Sequence, residues 1–289
     1  MECILDKKPP CCEGVGYRLN TDQVFTRAEL CSCVLSCPAC FGRMRKTLNG
    51  DSIQCRSPSP ARIVSLINGA SIPSRYATAK FDSFSNFSGN GHDIVHFMRK
   101  WLTEFSLNSS RGIVLSGGVG VGKTYLLAAL AKNLAARERS VRFVDFMQLL
   151  TDLKASYANN KADDQILSPL IQVDVLIIDE LGKGRSTDWE FSILDQLVMG
   201  RYNQNKIIVA STNYSLKSDT RINFVNRNLE QDEKGSDFKL NEFETLKDRV
   251  GERVFSRLVE TSHFVELTGE DFRSNVSKRF PVWPSITPK

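Results

Sequence analysis

The chain has 289 residues, 41% hydrophobic and 25% charged, a profile of an ordinary globular protein with room for one large domain and a smaller one. The net charge of +5 lies wholly in the first 80 residues, where 11 Lys and Arg face 6 Asp and Glu, while the remainder holds 27 of each sign. No run of about 18 apolar residues exists, which argues against a membrane span.

The opening "MECILDKKPPCCEG" lacks the apolar stretch of a secretory signal, so a cytoplasmic protein with no membrane partner is expected. All eight cysteines fall between Cys3 and Cys55. A reducing compartment keeps thiols free, so such clustering points to metal before disulfide. Residues 1–60 are therefore expected to form a small cysteine-rich, zinc-binding module, closed by the turn-forming "RSPSP". A four-sulfur zinc site takes two close pairs separated by a loop. The second pair is most simply Cys37 and Cys40; the first is less defined, because Pro9 stands where a knuckle before Cys12 needs its cysteine. The expected ligands are Cys12, Cys33, Cys37 and Cys40, with Cys11 and Cys31 as alternates, and eight thiols leave room for two ions.

Residues 61–110 read as a connecting region with an amphipathic segment, "DIVHFMRKWLTEF". From residue 111 short apolar strands alternate with helical patterns: "GIVLS" (112–116), "VRFVDF" (141–146), "VDVLIID" (173–179), "KIIVAS" (206–211) and "HFVEL" (263–267). Near-continuous apolar strands separated by helices predict an α/β fold, a parallel sheet covered on both faces. The polar stretch 228–244 reads as an insertion, and 276–289 as a C-terminal tail.

"GGVGVGKT" fits G-x-x-x-x-G-K-S/T after an apolar strand and before a helix, the context that supports a phosphate-binding loop. Backbone N–H groups of Gly117, Gly118, Val119, Gly120, Val121 and Gly122 would wrap the phosphates of ATP at a helix N-terminus. Lys123 would reach the β- and γ-phosphates, and Thr124 would hold Mg²⁺. The strand "VLIIDE" ends in two acids: Asp179 is placed for the Mg²⁺ shell and Glu180 to activate a water. Asn213, at the end of the next strand, would help hold that water if the strands are neighbours; an Asx turn cap is the alternative.

Arg249, Arg253 and Arg257 stack at i, i+4 and i+8 of a helical pattern, a like-charge stripe that costs a few tenths of a kcal/mol per pair. Internal pairs with Glu252 and Glu260 are one reading of it; an anion on a neighbouring molecule is the other.

Together the glycine loop, "IIDE", the polar strand end and "GERVFSRLVE…GEDFR" resemble the AAA+ ATPases of the DnaC/IstB type, bacterial replicative-helicase loaders and transposition helpers, over about residues 72–275. The resemblance implies an AAA+ three-layer sandwich over 111–275 and an oligomer with ATP between subunits. It implies Arg257 as the arginine finger, with Arg253 as alternative, and Arg273 as a phosphate sensor. It places Tyr76, Phe81 and Phe84 near the adenine and Lys154 and Tyr157 beside single-stranded DNA, where a core and an amphipathic surface helix are the plainer readings. Tyr125 stands where many relatives have His or Asn, a change expected to matter little, and 214–247 is longer than in typical relatives. The function implied is an ATPase that loads the hexameric replicative helicase onto single-stranded DNA, its N-terminal module gripping the helicase. An IstB-like helper of a transposase on duplex DNA and an ATP-switched adaptor with little hydrolysis are the alternatives.

Overall fold

The computed structural model describes residues 3–84, 89–108, 111–158, 163–216 and 245–272. Its first part is built from two short antiparallel hairpins, β1 (Tyr17–Asn20) with β2 (Arg27–Leu30) and β3 (Arg45–Leu48) with β4 (Asp51–Gln54), and one helical turn, α1 (Ser32–Leu35). Eight cysteines, Leu5 and Val34 sit at its centre, seven of the thiols buried and Cys11 half-buried.

Two helices follow, α2 (Pro60–Ala70) and α3 (Gly91–Thr103). The stretch expected as a connecting region is not a linker. Ala70, Ile72, Ala79, Phe81, Ile94, Met98, Trp101 and Leu102 share one buried cluster with residues of the sheet. Its amphipathic pattern is the apolar face of a helix that needs a partner, and α4 (Lys123–Ala136), with His263 of the last strand against Phe97, is that partner.

The larger part runs β5 (Gly112–Ser116), α4 (Lys123–Ala136), β6 (Val141–Asp145), α5 (Phe146–Ala158), α6 (Asp164–Gln172), β7 (Val175–Asp179), α7 (Asp188–Asn203), β8 (Ile207–Thr212), α8 (Leu246–Val250), α9 (Glu252–Thr261) and β9 (Ser262–Glu266). All five strands are parallel, in the order β6-β7-β8-β5-β9. Their ends lie within two residues of the expected ones. Strands β5, β7 and β8 are buried along their whole length, as strands covered on both faces must be.

Alternation splits their side chains between two layers. Ile113, Leu115, Val175, Ile177, Ile207 and Val209 face a cluster with α3 and α4, whereas Val114, Leu176, Ile178, Ile208 and Ala210 face one with α5, α6, α7 and α9. The three-layer sandwich is this period-2 pattern read across the sheet. Helix α4 buries residues all round because α3 and α2 also cover it. Helix α7 starts at a capping box, Thr187 with Glu190, which satisfies two otherwise orphaned N–H groups.

One buried charge ties the lower edge of the sheet together. Arg201, fully buried near the end of α7, donates to the carbonyls of Leu170, Ile171 and Val173 from one nitrogen and to those of Asp174 and Ile207 from the other, at 2.6 to 3.2 Å. Burial pulls the guanidinium down to about 9, with Asp174 opposing, so it stays cationic near neutrality. Only a planar fork reaches five acceptors on the ends of α6, β7 and β8 at once.

Insertion 214–247 leaves and returns at one point: Ser215 and Thr245 form a bridge, and the Leu246 N–H donates to the Ser215 carbonyl. Its residues 217–244, like the tail 276–289, lie outside the described residues.

Two outcomes follow. Arg201→Met removes the donor shared by five carbonyls, of which that of Asp174 keeps the Ile207 N–H, and should lower the urea-unfolding free energy by about 3 kcal/mol or more; a loss below about 1 kcal/mol would show that the carbonyls re-pair without it. Lys132, in α4, donates to the Ala77 carbonyl, and burial, with Lys80 second, pulls its ammonium from the ordinary 10.5 to about 8. Between those values the unfolded chain binds more protons, so this residue's contribution to stability rises with pH across the window. The stability difference, wild type minus Lys132→Met, should therefore increase from pH 8 to 10; a flat difference would refute the assignment.

Candidate nucleotide site and its surroundings

The parallel register carries three strand ends to one edge of the sheet. Ser116 of β5 pairs with Thr212 of β8, and Ile178 of β7 with Ala210, which sets Asp179 beside Ser211. A cleft of about 290 Å³ opens there, lined by Val119 to Tyr125, Asp179, Glu180, Ser211 and Asn213, with Tyr76, Phe84 and Phe272 among its walls.

The glycine loop is already shaped. Lys123, 8% exposed, points its Nζ into the loop and donates to the carbonyls of Gly117 at 2.8 Å and Gly118 at 2.7 Å and to Asn213 Oδ1 at 2.6 Å. Gly120 and Gly122 have φ of +78° and +104°, where a side chain is strained. Space forbids one as well: a Cβ on Gly120 would strike the Asp271 carboxylate, and one on Gly122 the Phe84 ring at 2.6 Å. The Phe272 N–H donates to the Gly120 carbonyl at 3.1 Å, so residues after β9 close over the loop.

Asp179 is 6% exposed at the end of β7. Burial above all, then the charges of Glu180 and Asp145, hold its carboxyl above the usual range, opposed by hydrogen bonds from Ser211 and Thr124. Glu180 sits at φ +56°, a left-handed conformation that costs a non-glycine residue about 1–3 kcal/mol. Ser211 holds it there: the Glu180 N–H donates to Ser211 Oγ at 3.0 Å and the Leu181 N–H to the Ser211 carbonyl at 2.7 Å. The Glu180 carboxylate pairs with Lys183. A buried lysine at a helix N-terminus beside three crowded carboxylates suits a polyanion carried with a divalent cation. Thr124 and Asp179 are the oxygen donors in hydrogen-bond contact that fit Mg²⁺.

The IstB-like ATP binding protein family matches residues 62–221, more than half of the chain. The chain belongs to that family. The replicative helicase loader DnaC of Escherichia coli (strain K12) is 29% identical over 125 residues, 43% of this chain and 51% of that protein. The protein YdaV of the same strain is 25% identical over 197 residues, 67% of this chain and 68% of its own. The chain thus spans about half the length of the curated DnaC relative it matches. The crystal structure of the DnaC helicase loader superposes with a TM-score of 0.54 at 24% identity, over 67% of this chain and 99% of that one. That of DnaI gives 0.51 at 23%, over 69% and 93%. These two likenesses establish the AAA+ fold.

As a member of this family, the chain carries its arginine stripe on α8 and α9, and the structure divides it. Arg249 is committed within the chain, donating to the carbonyls of Gly182 and Gly184 and lying 5.0 Å over the Tyr214 ring; Glu252 pairs with Lys247 instead. Arg253 is 78% exposed and 3.6 Å from Asp195. Arg257 lies 4.5 Å over the Tyr202 ring and 3.3 Å from Glu260, as the internal reading predicts, and does not line its own chain's cleft. An exposed pair of this kind contributes about 0–1 kcal/mol and yields readily to a stronger anion. Arg273 lies outside the described residues.

Of the three aromatic residues, Tyr76 and Phe84 line the cleft, while Phe81 is core. Tyr125, expected to matter little, does structural work: its hydroxyl accepts from the Lys80 N–H at 3.1 Å and donates to the Lys80 carbonyl at 3.2 Å. It thereby fastens the segment carrying Phe84 to α4, with the two rings 5.7 Å apart. Lys154 lies 5.0 Å over the Trp189 ring, and Tyr157 accepts from Trp189 Nε1 at 3.2 Å.

The expected thiol set does not meet at one point. Cys12 and Cys33 gather with Cys11 and Cys31, whereas Cys37 gathers with Cys3 and Cys55. The hairpins decide this: the Cys31 N–H donates to the Gly16 carbonyl beside β1–β2, and the Cys55 N–H to the Met44 carbonyl beside β3–β4. Each pairing brings a distant cysteine to its group, which spacing along the chain does not reveal. Ser211, Lys183 and Trp189 were also missed. A serine ending an apolar strand next to "IIDE" is a signal for the first; the other two carry none.

Lys123→Ala removes the ammonium that braces the loop. ATP affinity should fall about 100-fold or more in a fluorescent-nucleotide titration, with far-UV circular dichroism unchanged. Tight binding by the folded variant would dismiss this cleft as the nucleotide site.

Proposed function

We propose that this protein is a Mg²⁺-dependent ATPase that loads a hexameric replicative helicase onto single-stranded DNA. The observation that carries it is a nucleotide cleft equipped with an acid pair, in a chain whose Arg257 does not line its own cleft. Binding alone needs neither feature. Likeness to the DnaC helicase loader supports the partner.

In this reading Lys123 and the loop N–H groups hold the β- and γ-phosphates, and Tyr76 and Phe84 wall the base. Mg²⁺, when bound, offsets phosphate charge, and Thr124 and Asp179 would hold it. Glu180 leaves Lys183, takes a proton from water, and the oxygen attacks the γ-phosphorus; ADP departs with the β–γ bridging oxygen. Asn213 orients that water. Arg257 of a neighbouring copy meets the developing charge, an effect of about 10³ to 10⁵ when an arginine is supplied in trans. Lys154, Tyr157 and Trp189 offer a cation and aromatic faces to single-stranded DNA. The N-terminal module binds zinc and grips the helicase.

Arg257→Ala and Glu180→Gln should each be nearly inactive alone, the second still binding ATP. Mixed, they should recover turnover, because Glu180→Gln subunits lend Arg257 to intact sites. No gain on mixing would overturn the trans role. Native mass spectra with the host's replicative helicase and ATP should show several copies per helicase ring. Assembly on duplex DNA with no helicase complex would replace this reading by that of a transposase helper, which the family match also accommodates.

A further inference from the structure

The N-terminal module lacks the apolar side chains to hold itself together. Apart from its thiols, its buried centre consists of Leu5 and Val34, and its four strands are four residues each and mostly exposed. A unit this small needs a cross-link or a metal to fold. We infer that the module binds two zinc ions in separate, nested four-thiolate sites, an inner one of Cys11, Cys12, Cys31 and Cys33 and an outer one of Cys3, Cys37, Cys40 and Cys55. The inference rests on the zinc reading above and replaces its single site by two.

Sulfur geometry carries it. A tetrahedral zinc with Zn–S of about 2.3 Å sets its sulfurs about 3.8 Å apart, whereas a disulfide sets them at about 2.05 Å. Here Cys11 and Cys31 stand 3.3 Å apart, Cys12 and Cys33 3.5 Å, and Cys37 and Cys55 3.9 Å, with every cysteine free. The sulfurs of the inner four all lie within 4.8 Å of one another, as do those of Cys3, Cys37 and Cys55. Cys40, 3% exposed, lies outside the 4.8 Å span of that trio, but its thiol interacts with those of Cys37 and Cys55, and it is assigned as the fourth outer ligand. All eight thiols are thereby used, none by both groups.

Backbone amides support the sulfurs as they do in thiolate sites. Those of Ile4, Ala39 and Cys40 are directed at Cys37, and that of Cys33 at Cys31. Glu13 and Phe41 adopt left-handed φ of +51° and +50°, each one residue beyond a ligand, and Gly14 and Gly42 follow at +85° and +76°. Both loops thus turn back on their sulfurs. In a Gly14 or Gly42 variant a Cβ would lie 3.0 Å from the carbonyl of Leu5 or Leu35. Each site carries a formal charge of −2 when filled, and residues 3–56 hold eight Lys and Arg against five Asp and Glu to offset it. An all-sulfur tetrahedron selects zinc or iron. Zinc is the choice tested.

The test uses the full-length protein purified under reducing conditions. Elemental analysis should return two zinc and no iron per chain, and Cys31→Ser and Cys55→Ser should each retain one. One zinc in the wild type, unaltered by either substitution, would overturn the two-site assignment and leave the zinc module standing. No zinc with all eight thiols titratable would overturn both. Since a ligand variant can unfold the whole module, cobalt titration of the metal-free wild-type protein provides a separate check. Thiolate charge-transfer bands of tetrahedral Co²⁺ should rise linearly to two equivalents; an end point at one refutes the second site.

Discussion

Ser211 and Asp179, on neighbouring parallel strands, make the hydrogen bond on which the active edge of the molecule depends. A carboxylate at the end of a wholly buried strand is costly to keep charged, and here two further acids crowd it. The hydroxyl of Ser211 answers that cost, and the same residue accepts the Glu180 N–H and, through its carbonyl, the Leu181 N–H. One serine thus holds both acids at their stations and sustains the left-handed turn at Glu180. The crowding that remains is what a divalent cation relieves, so the site is poised for its ligand by unrelieved charge.

Facing this edge, the glycine loop is organised in advance by its own lysine. With Lys123 bonded to two loop carbonyls and to Asn213, little conformational freedom remains to be lost when phosphates arrive. Tyr125 extends the same ordering to Phe84 and hence to the wall of the cleft. At the opposite edge Arg201 performs the equivalent task for strand starts and helix ends. Both edges of the sheet are therefore braced by a buried cation taking main-chain carbonyls as acceptors, and the long apolar strands between them need no polar support.

The N-terminal module follows a different physics. Where the AAA+ part buries aliphatic side chains on both sheet faces, the module buries thiols in their place. It is nevertheless seated on the rest of the chain. Asn68 of α2 accepts from the Ala28 N–H and donates to the Ala28 carbonyl, and the Thr26 N–H donates to the Ile72 carbonyl. The seat lies against the C-terminal end of α4, where Ala135 shares a buried cluster with Ala28, Ile63 and Ile67.

Much of the AAA+ part was legible from residues alone. A glycine loop between strand and helix, and an apolar strand ending in Asp179 and Glu180, are local patterns whose chemistry needs neighbours within a few positions, and parallel strands bring them to one edge by topology. What the sequence by itself determined is therefore the sheet, its two covering layers and the loop and acid pair. Tertiary structure decided the rest: that Ile72, Ala79 and the apolar face of α3 belong to the core, that Phe81 is packing while Tyr76 and Phe84 face the cleft, that Arg249 serves its own chain, and which thiols meet. Hydrophobic periodicity states that a face needs a partner without naming it, and cysteine spacing counts residues while hairpins set distances. Such pairings are properties of the closed fold, because each contact joins segments tens of residues apart.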